Sequence, residues 1–240
     1  MVRTGNRPSR VPRAPRVSIS PLHKVVFLEE GSRIDVVTQV ANISTSGIGL
    51  IHDDGVFSAL NTRPIKRGRL RIGPEEFDVT LKEEWRSNPI IACSIQKADP
   101  AFFGILREYF KSEIAALNMI EVRPELLQSP PSGKAFCFRG NNNCEIYFIL
   151  EGATLGFFSL SFFGNTVEGK PGKSLQFGRI KEDHDFEKPS YKGSQLIYSS
   201  PVPTAEFLTE VIRFVESTQG IEPKVKDEIC EQIRLQQARL

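Results

Sequence analysis

Short alternating apolar segments, separated by polar turns, restrict the fold of this chain more than any other feature. In the first half of the sequence they cover residues 17–29, 33–43, 46–52, 66–72, 76–82 and 90–95. Alternation with a period of two is typical of strands that bury one face. About five or six such strands with closely spaced turns favour a barrel or a sandwich. A closed barrel has the further advantage that it leaves no exposed strand edge.

The remaining segments predict a mixed architecture, mainly β with α (α+β). Asp99-Pro100 marks a helix start, and an apolar helical face follows as far as Leu117. The proline-rich stretch 122–134 is typical of an interdomain linker. We therefore expect four regions: a basic flexible leader (1–16), a barrel domain with its helix (17–121), the linker (122–134), and a second α+β domain ending in two helices (135–240).

The six residues Asn42–Gly47 lie between two of these strands and predict a tight polar turn. Asn and Ser side chains can bond the neighbouring backbone, and Gly permits either a positive φ or the close approach of a ligand. The sequence therefore allows both an ordinary hairpin turn and a ligand-binding corner.

The leader carries a regular row of arginines. Arg7, Arg10, Arg13 and Arg16 recur at every third residue among prolines, and no acidic residue precedes Glu29. Repeated prolines favour polyproline II, which has three residues per turn, so the guanidiniums would share one edge. The planar fork of arginine suits phosphates and the guanine edge. A disordered basic tail is the alternative interpretation.

Taken together, the turn and the leader resemble a PilZ domain, the bacterial receptor module for cyclic di-GMP. The family signature is an Arg-x-x-x-Arg element followed by Asp/Asn-x-Ser-x-x-Gly. Asn42, Ser44 and Gly47 match the second part in full. In the first part Arg16 stands at the expected distance, whereas the residue four positions earlier is Pro12.

The resemblance covers about residues 10–120. It implies a six-stranded antiparallel barrel with a helix, and a ligand, cyclic di-GMP, that carries two phosphates and two guanines. The arginines would contact phosphates and guanine edges, the Asn and Ser side chains a base or ribose, and the Gly would keep the turn tight. The implied binding residues are Arg10, Arg13, Arg16, Asn42, Ser44 and Gly47.

Two functions from different classes follow. The first is a receptor that converts cyclic di-GMP binding into a change of domain arrangement or partner binding. A protein partner would bind the second domain. The last helix has only a thin apolar stripe, which suits self-association. The second is an adaptor that retains the barrel, does not bind nucleotide because of Pro12 and the altered arginine spacing, and acts by protein–protein interaction.

Other classes are not expected from the sequence. No histidine has a partner at metal-ligand spacing, and no nucleophile elbow, Walker loop or dinucleotide fingerprint is present, so we predict neither a metal site, a cofactor nor an enzyme. A net charge of +2 argues against long nucleic acid as a partner. The basic N-terminus lacks the apolar core of a signal peptide, and the longest apolar stretch, 155–163, is too short to span a bilayer, which predicts a cytoplasmic protein.

Overall fold

The computed structural model describes residues 14–30, 36–51, 64–180, 197–199 and 203–240. The chain divides into two compact units, Met1–Tyr109 and Phe110–Leu240. Both units combine an antiparallel sheet with helical structure, so the expected mixture of β-strands and helices is confirmed.

The first unit is a closed antiparallel barrel of six strands with one extra strand. Its strands are β1 (Val17–Ser18), β2 (Val25–Glu29), β3 (Val36–Ile43), β4 (Gly47–Ile51), β5 (Ile65–Ile72), β6 (Glu75–Ser87) and β7 (Ile90–Ala98). The ring runs β3–β2–β5–β6–β7–β4 and closes through the pairing of β4 with β3, while β1 adds to β3. The six-stranded barrel expected from the sequence is therefore confirmed.

The barrel is filled by the residues that alternate inward from each strand. Fully buried members are Phe27, Ile43, Ile48, Leu50, Leu70, Ile72 and Leu81. Burial of apolar area, at about 25 cal/mol per Å², supplies the main stabilisation of such a core. Lys66 also lies inside, where its Nζ is 3.7 Å from Glu29 Oε1, so the buried ammonium faces an opposite charge.

Helix α1 (Phe102–Tyr109) packs on the barrel, and it ends earlier than the sequence predicts. Its Phe102 ring meets Phe77 of β6 edge-to-face, with centroids 5.8 Å apart. The apolar face expected to continue to Leu117 is interrupted at Phe110, whose φ of −104° and ψ of 19° depart from helical values. A second helix, α2 (Lys111–Leu117), begins directly afterwards and belongs to the second unit.

The second unit is a sheet whose strands follow one another in chain order. They are β8 (Ile120–Glu121), β9 (Lys134–Arg139), β10 (Glu145–Glu151), β11 (Thr154–Phe162), β12 (Asn165–Gly169), β13 (Gln176–Ile180) and β14 (Ile197–Ser199). Two more helices follow, α3 (Ala205–Ser217) and α4 (Pro223–Gln237). The ring centroids of Phe162 on β11 and Phe214 on α3 are 4.9 Å apart, so aromatic contacts join the sheet to the helix. Each helix in the described ranges is too short or too polar to cross a bilayer.

The stretch 122–134, which the sequence predicts to be a linker, follows the point at which the chain divides into its two units. That stretch lies inside the second unit, where Ile120 and Glu121 pair with β9 and Val122 N–H donates to Cys137 O at 2.8 Å. Proline and glycine mark a loop reliably, but they carry no information about which strand the preceding residues will pair with.

A buried ion pair joins α2 to α3 within the second unit. Arg213 donates from Nε and Nη2 to the two carboxylate oxygens of Glu113, and the two side chains are 7% and 0% exposed. The guanidinium also lies over the Phe110 ring, 5.9 Å from its centroid. Compared with a pair of apolar side chains in the same place, such an ion pair adds little to the stability of the fold. Removing only one partner is costly, because it leaves the other charge buried without its counter-ion.

We therefore expect Arg213→Met to lower the free energy of unfolding by about 3–5 kcal/mol, because Glu113 would remain buried opposite an apolar side chain. The double variant Glu113→Leu/Arg213→Met should recover most of that loss. Urea unfolding followed by far-UV circular dichroism measures both variants, and a double variant less stable than the single one would contradict the prediction.

Candidate functional site

The turn between β3 and β4 is organised by Ser44. Its hydroxyl accepts hydrogen bonds from the backbone N–H groups of Ser46 (3.3 Å) and Gly47 (3.1 Å), and its own N–H donates to Gly47 O at 2.9 Å. The hydroxyl also donates a hydrogen bond to Gly47 O, at 3.2 Å. Ser44 is only 4% exposed, so its polar groups serve the turn and it positions its neighbours from beneath the surface.

Gly47 is required by the close approach of two strands. It opens β4 opposite Ser94 of β7, and a Cβ at this position would lie 2.6 Å from the carbonyl oxygen of Cys93. Its φ is not among the positive values of the chain, so the turn itself does not demand glycine. The glycine of the motif therefore leaves the room that β4 needs to lie beside β7.

Asn42 presents an unused acceptor beside this turn. It is half-buried, and its Oδ1 has no hydrogen-bond partner among the described residues. Its amide lies over the bare face of Gly49, where a Cβ would come within 2.7 Å of Asn42 Nδ2. A buried acceptor without a partner is costly, so this oxygen is suited to an N–H donor from a ligand.

The extra strand β1 brings Arg16 to the same corner. Val17 and Ser18 pair with Ile43 and Asn42, and Ile19 N–H donates to Ala41 O at 2.9 Å. Arg16 directly precedes Val17, so it lies at this corner, and it is exposed.

A turn at residues 19–24 separates β1 from β2 and makes this pairing possible. His23 holds it, because its Nδ1 accepts the N–H of Ser20 at 2.9 Å and its own N–H donates to Ser20 O at 3.0 Å. The sequence predicted one continuous strand over 17–29. The turn divides it, so that β1 pairs with residues 42–43 of β3 and β2 pairs with residues 36–39.

Four of the six predicted site residues thus occupy one corner of the barrel: Arg16, Asn42, Ser44 and Gly47. Arg10 and Arg13 lie outside the described residues. The four differ in what they offer: Arg16 is exposed, Asn42 has a buried acceptor without a partner, and the other two secure the turn and the strand beneath it.

The outer surface beside this corner contains residues that the motif did not indicate. Continuing from Asn42, the paired residues are Gly49 on β4, Ala92 on β7 and Trp85 on β6, which is 53% exposed. Next to Trp85, Ser94 donates to Glu84 Oε1 at 2.7 Å. This bond, with the charge of Lys82, lowers the pKa of the Glu84 carboxyl, which is therefore anionic at neutral pH.

Comparisons with protein-family models, curated proteins and solved structures found no match to this chain. Among the described residues, no group of three or more His, Cys, Asp and Glu side chains is arranged to hold a metal ion. The interpretation of the corner consequently depends on its own geometry and chemistry.

The role assigned to Gly47 predicts that Gly47→Ala destabilises the barrel by about 1–3 kcal/mol, the usual range for an added methyl without room. Gly104→Ala is the matched control, because a Cβ there meets nothing within 4 Å and the residue lies in α1. This change should raise stability by up to about 1 kcal/mol.

Thermal unfolding by circular dichroism distinguishes the two glycine variants. Equal stability of Gly47→Ala and the wild type would mean that β4 and β7 separate without cost, and that the motif glycine serves some other purpose.

Proposed function

We propose that this protein is a cyclic di-GMP receptor of the PilZ type, with its binding site at the corner formed by β1 and the β3–β4 turn. The observation that carries the proposal is the register of β1, whose Val17 and Ser18 pair with Ile43 and Asn42 and so bring the exposed Arg16 to the corner that contains the unpartnered Oδ1 of Asn42. The corner therefore combines an exposed cation suited to phosphate with a buried acceptor that a base N–H would satisfy once the Asn42 amide turns toward the ligand.

The chemistry of these groups suits the two parts of a guanine dinucleotide. The Arg16 guanidinium can donate two parallel hydrogen bonds to phosphate oxygens or to guanine O6 and N7. The Asn42 amide oxygen can accept from a guanine N–H, which would satisfy its buried oxygen. In this proposal Arg10 and Arg13 add further phosphate or guanine contacts, while Ser44 and Gly47 act as positioning residues.

Signalling in this proposal depends on the leader, residues 1–16. Nucleotide binding joins the leader to the barrel surface, and the new arrangement alters the position of the domains or creates a surface for a protein partner. A ligand can shift such an equilibrium only as far as it binds one state better than the other. In this proposal the contacts of Arg10, Arg13 and Arg16 with the nucleotide supply that difference.

The adaptor alternative keeps the same barrel without the nucleotide. Ser44 and Gly47 have structural roles that need no ligand, so the motif by itself is compatible with both functions. Arg16 and Asn42 are the residues that separate them, because the exposed guanidinium of Arg16 and the buried Oδ1 of Asn42 make no hydrogen bond among the described contacts.

Calorimetric titration of the full-length protein with cyclic di-GMP tests the proposal. We expect saturable binding, and we expect Arg16→Ala to weaken it roughly 10- to 100-fold, as the loss of charge-assisted hydrogen bonds predicts. Arg67→Ala is the matched control, since Arg67 is an exposed arginine on β5, two strands from β3 in the ring.

The control should bind as tightly as the wild type. Absence of heat and of any thermal shift at high ligand concentration would favour the adaptor, and an Arg16→Ala variant with unchanged affinity would refute this location of the site.

A further inference from the structure

Two β-bulges redirect one side chain each onto the same outer row of the barrel. On β3 the register skips Ala41, so that Val40 pairs with Leu50 and Asn42 pairs with Gly49. Without the bulge Asn42 would share the inner face with Val40, which is 3% exposed. The bulge instead turns Asn42 outward, over Gly49.

The second bulge has the same effect on β6. There the register skips Glu84, so that Glu83 pairs with Cys93 and Trp85 pairs with Ala92. Strict alternation from the fully buried Leu81 would direct Trp85 into the barrel. The bulge leaves the indole outside and 53% exposed, although exposure of so large an apolar group is unfavourable in itself.

We infer that Trp85 is a stacking surface for a guanine base of the ligand, an inference that depends on the function proposed above. Between Asn42 and Trp85 the row contains only Gly49 and Ala92, whose side chains are absent or a single methyl. Three strand-to-strand steps of about 4.8 Å make the row about 14 Å wide. Gly49 and Ala92 are themselves buried, so the exposed indole is the surface that a base meets, and the base would lie with its face against this ring and its edge toward Asn42.

The charges at the two ends of this row differ, and the difference orients the ligand. Arg16 lies at the β1 end, and the anionic Glu84 lies beside Trp85 at the β6 end. Phosphates are attracted to the guanidinium, so they lie toward β1, whereas the Glu84 carboxylate is offset by the Lys82 ammonium, 3.5 Å from its Oε1. The uncharged base is then the part of the dinucleotide that reaches β6, where stacking is available.

Base stacking on an aromatic side chain tolerates a change of ring but not its removal. We therefore expect Trp85→Ala to weaken cyclic di-GMP binding roughly 5- to 150-fold, and Trp85→Phe to keep most of the affinity. Phe103→Ala is the control for loss of an exposed aromatic, since Phe103 is 40% exposed on α1. Its affinity should equal that of the wild type.

Trp85 is the sole tryptophan of the sequence, so its emission reports directly on the proposed contact. Titration of the wild-type protein with cyclic di-GMP should change the emission with the same dissociation constant that calorimetry gives. This measurement needs no variant and stays decisive if Trp85→Ala fails to fold.

The outcomes separate this inference from the proposed function. Calorimetric binding with unchanged emission, or with undiminished affinity in a folded Trp85→Ala, overturns the stacking role and leaves the receptor function intact. A folded Trp85→Phe as weak as Trp85→Ala also overturns it, because a phenyl ring should still stack. No calorimetric binding by the wild type refutes the receptor function, and the stacking role is lost with it.

Discussion

The close approach of β4 to β7 at Gly47 is the constraint on which the barrel and its candidate site both depend. β4 has five residues, yet it pairs with β3 on one side and β7 on the other and so closes the ring. A closed ring satisfies the backbone groups that an open sheet would leave at its edges. Ser44 secures the turn that leads into this strand, and Gly47 lets the strand lie against the Cys93 carbonyl.

This dependence changes what the Asn-x-Ser-x-x-Gly motif means in this chain. The fold alone explains two of its three signature residues, because Ser44 fixes the turn and Gly47 permits the strand pairing. Asn42 differs, because its acceptor is buried without a partner and contributes no described hydrogen bond. A functional interpretation therefore depends on Asn42 and Arg16 more than on the completeness of the motif.

The candidate site is produced by departures from regular structure. A turn at 19–24 divides the first strand and aligns Arg16 with the β3–β4 corner, and the bulges at Ala41 and Glu84 turn Asn42 and Trp85 outward. Regular alternation would have buried both of these side chains in the barrel. Each irregularity interrupts the regular strand pairing locally and places a polar or aromatic residue on one side of the barrel.

The sequence by itself determined the alternating strands of the first half apart from the break within 17–29, a helix shortly after Asp99, which begins at Phe102, and the polar corner at Asn42–Gly47. Each of these depends on the period and turn chemistry of adjacent residues. It also indicated four residues that meet at one corner, of which Arg16 was selected by spacing alone. Only the tertiary structure decided the pairing of β4 with β7, the break at Phe110, the unit boundary and the outward direction of Trp85. These features follow from register and packing between segments distant in the chain, and the periodicity of one segment contains no information about the bulge that its partner will impose.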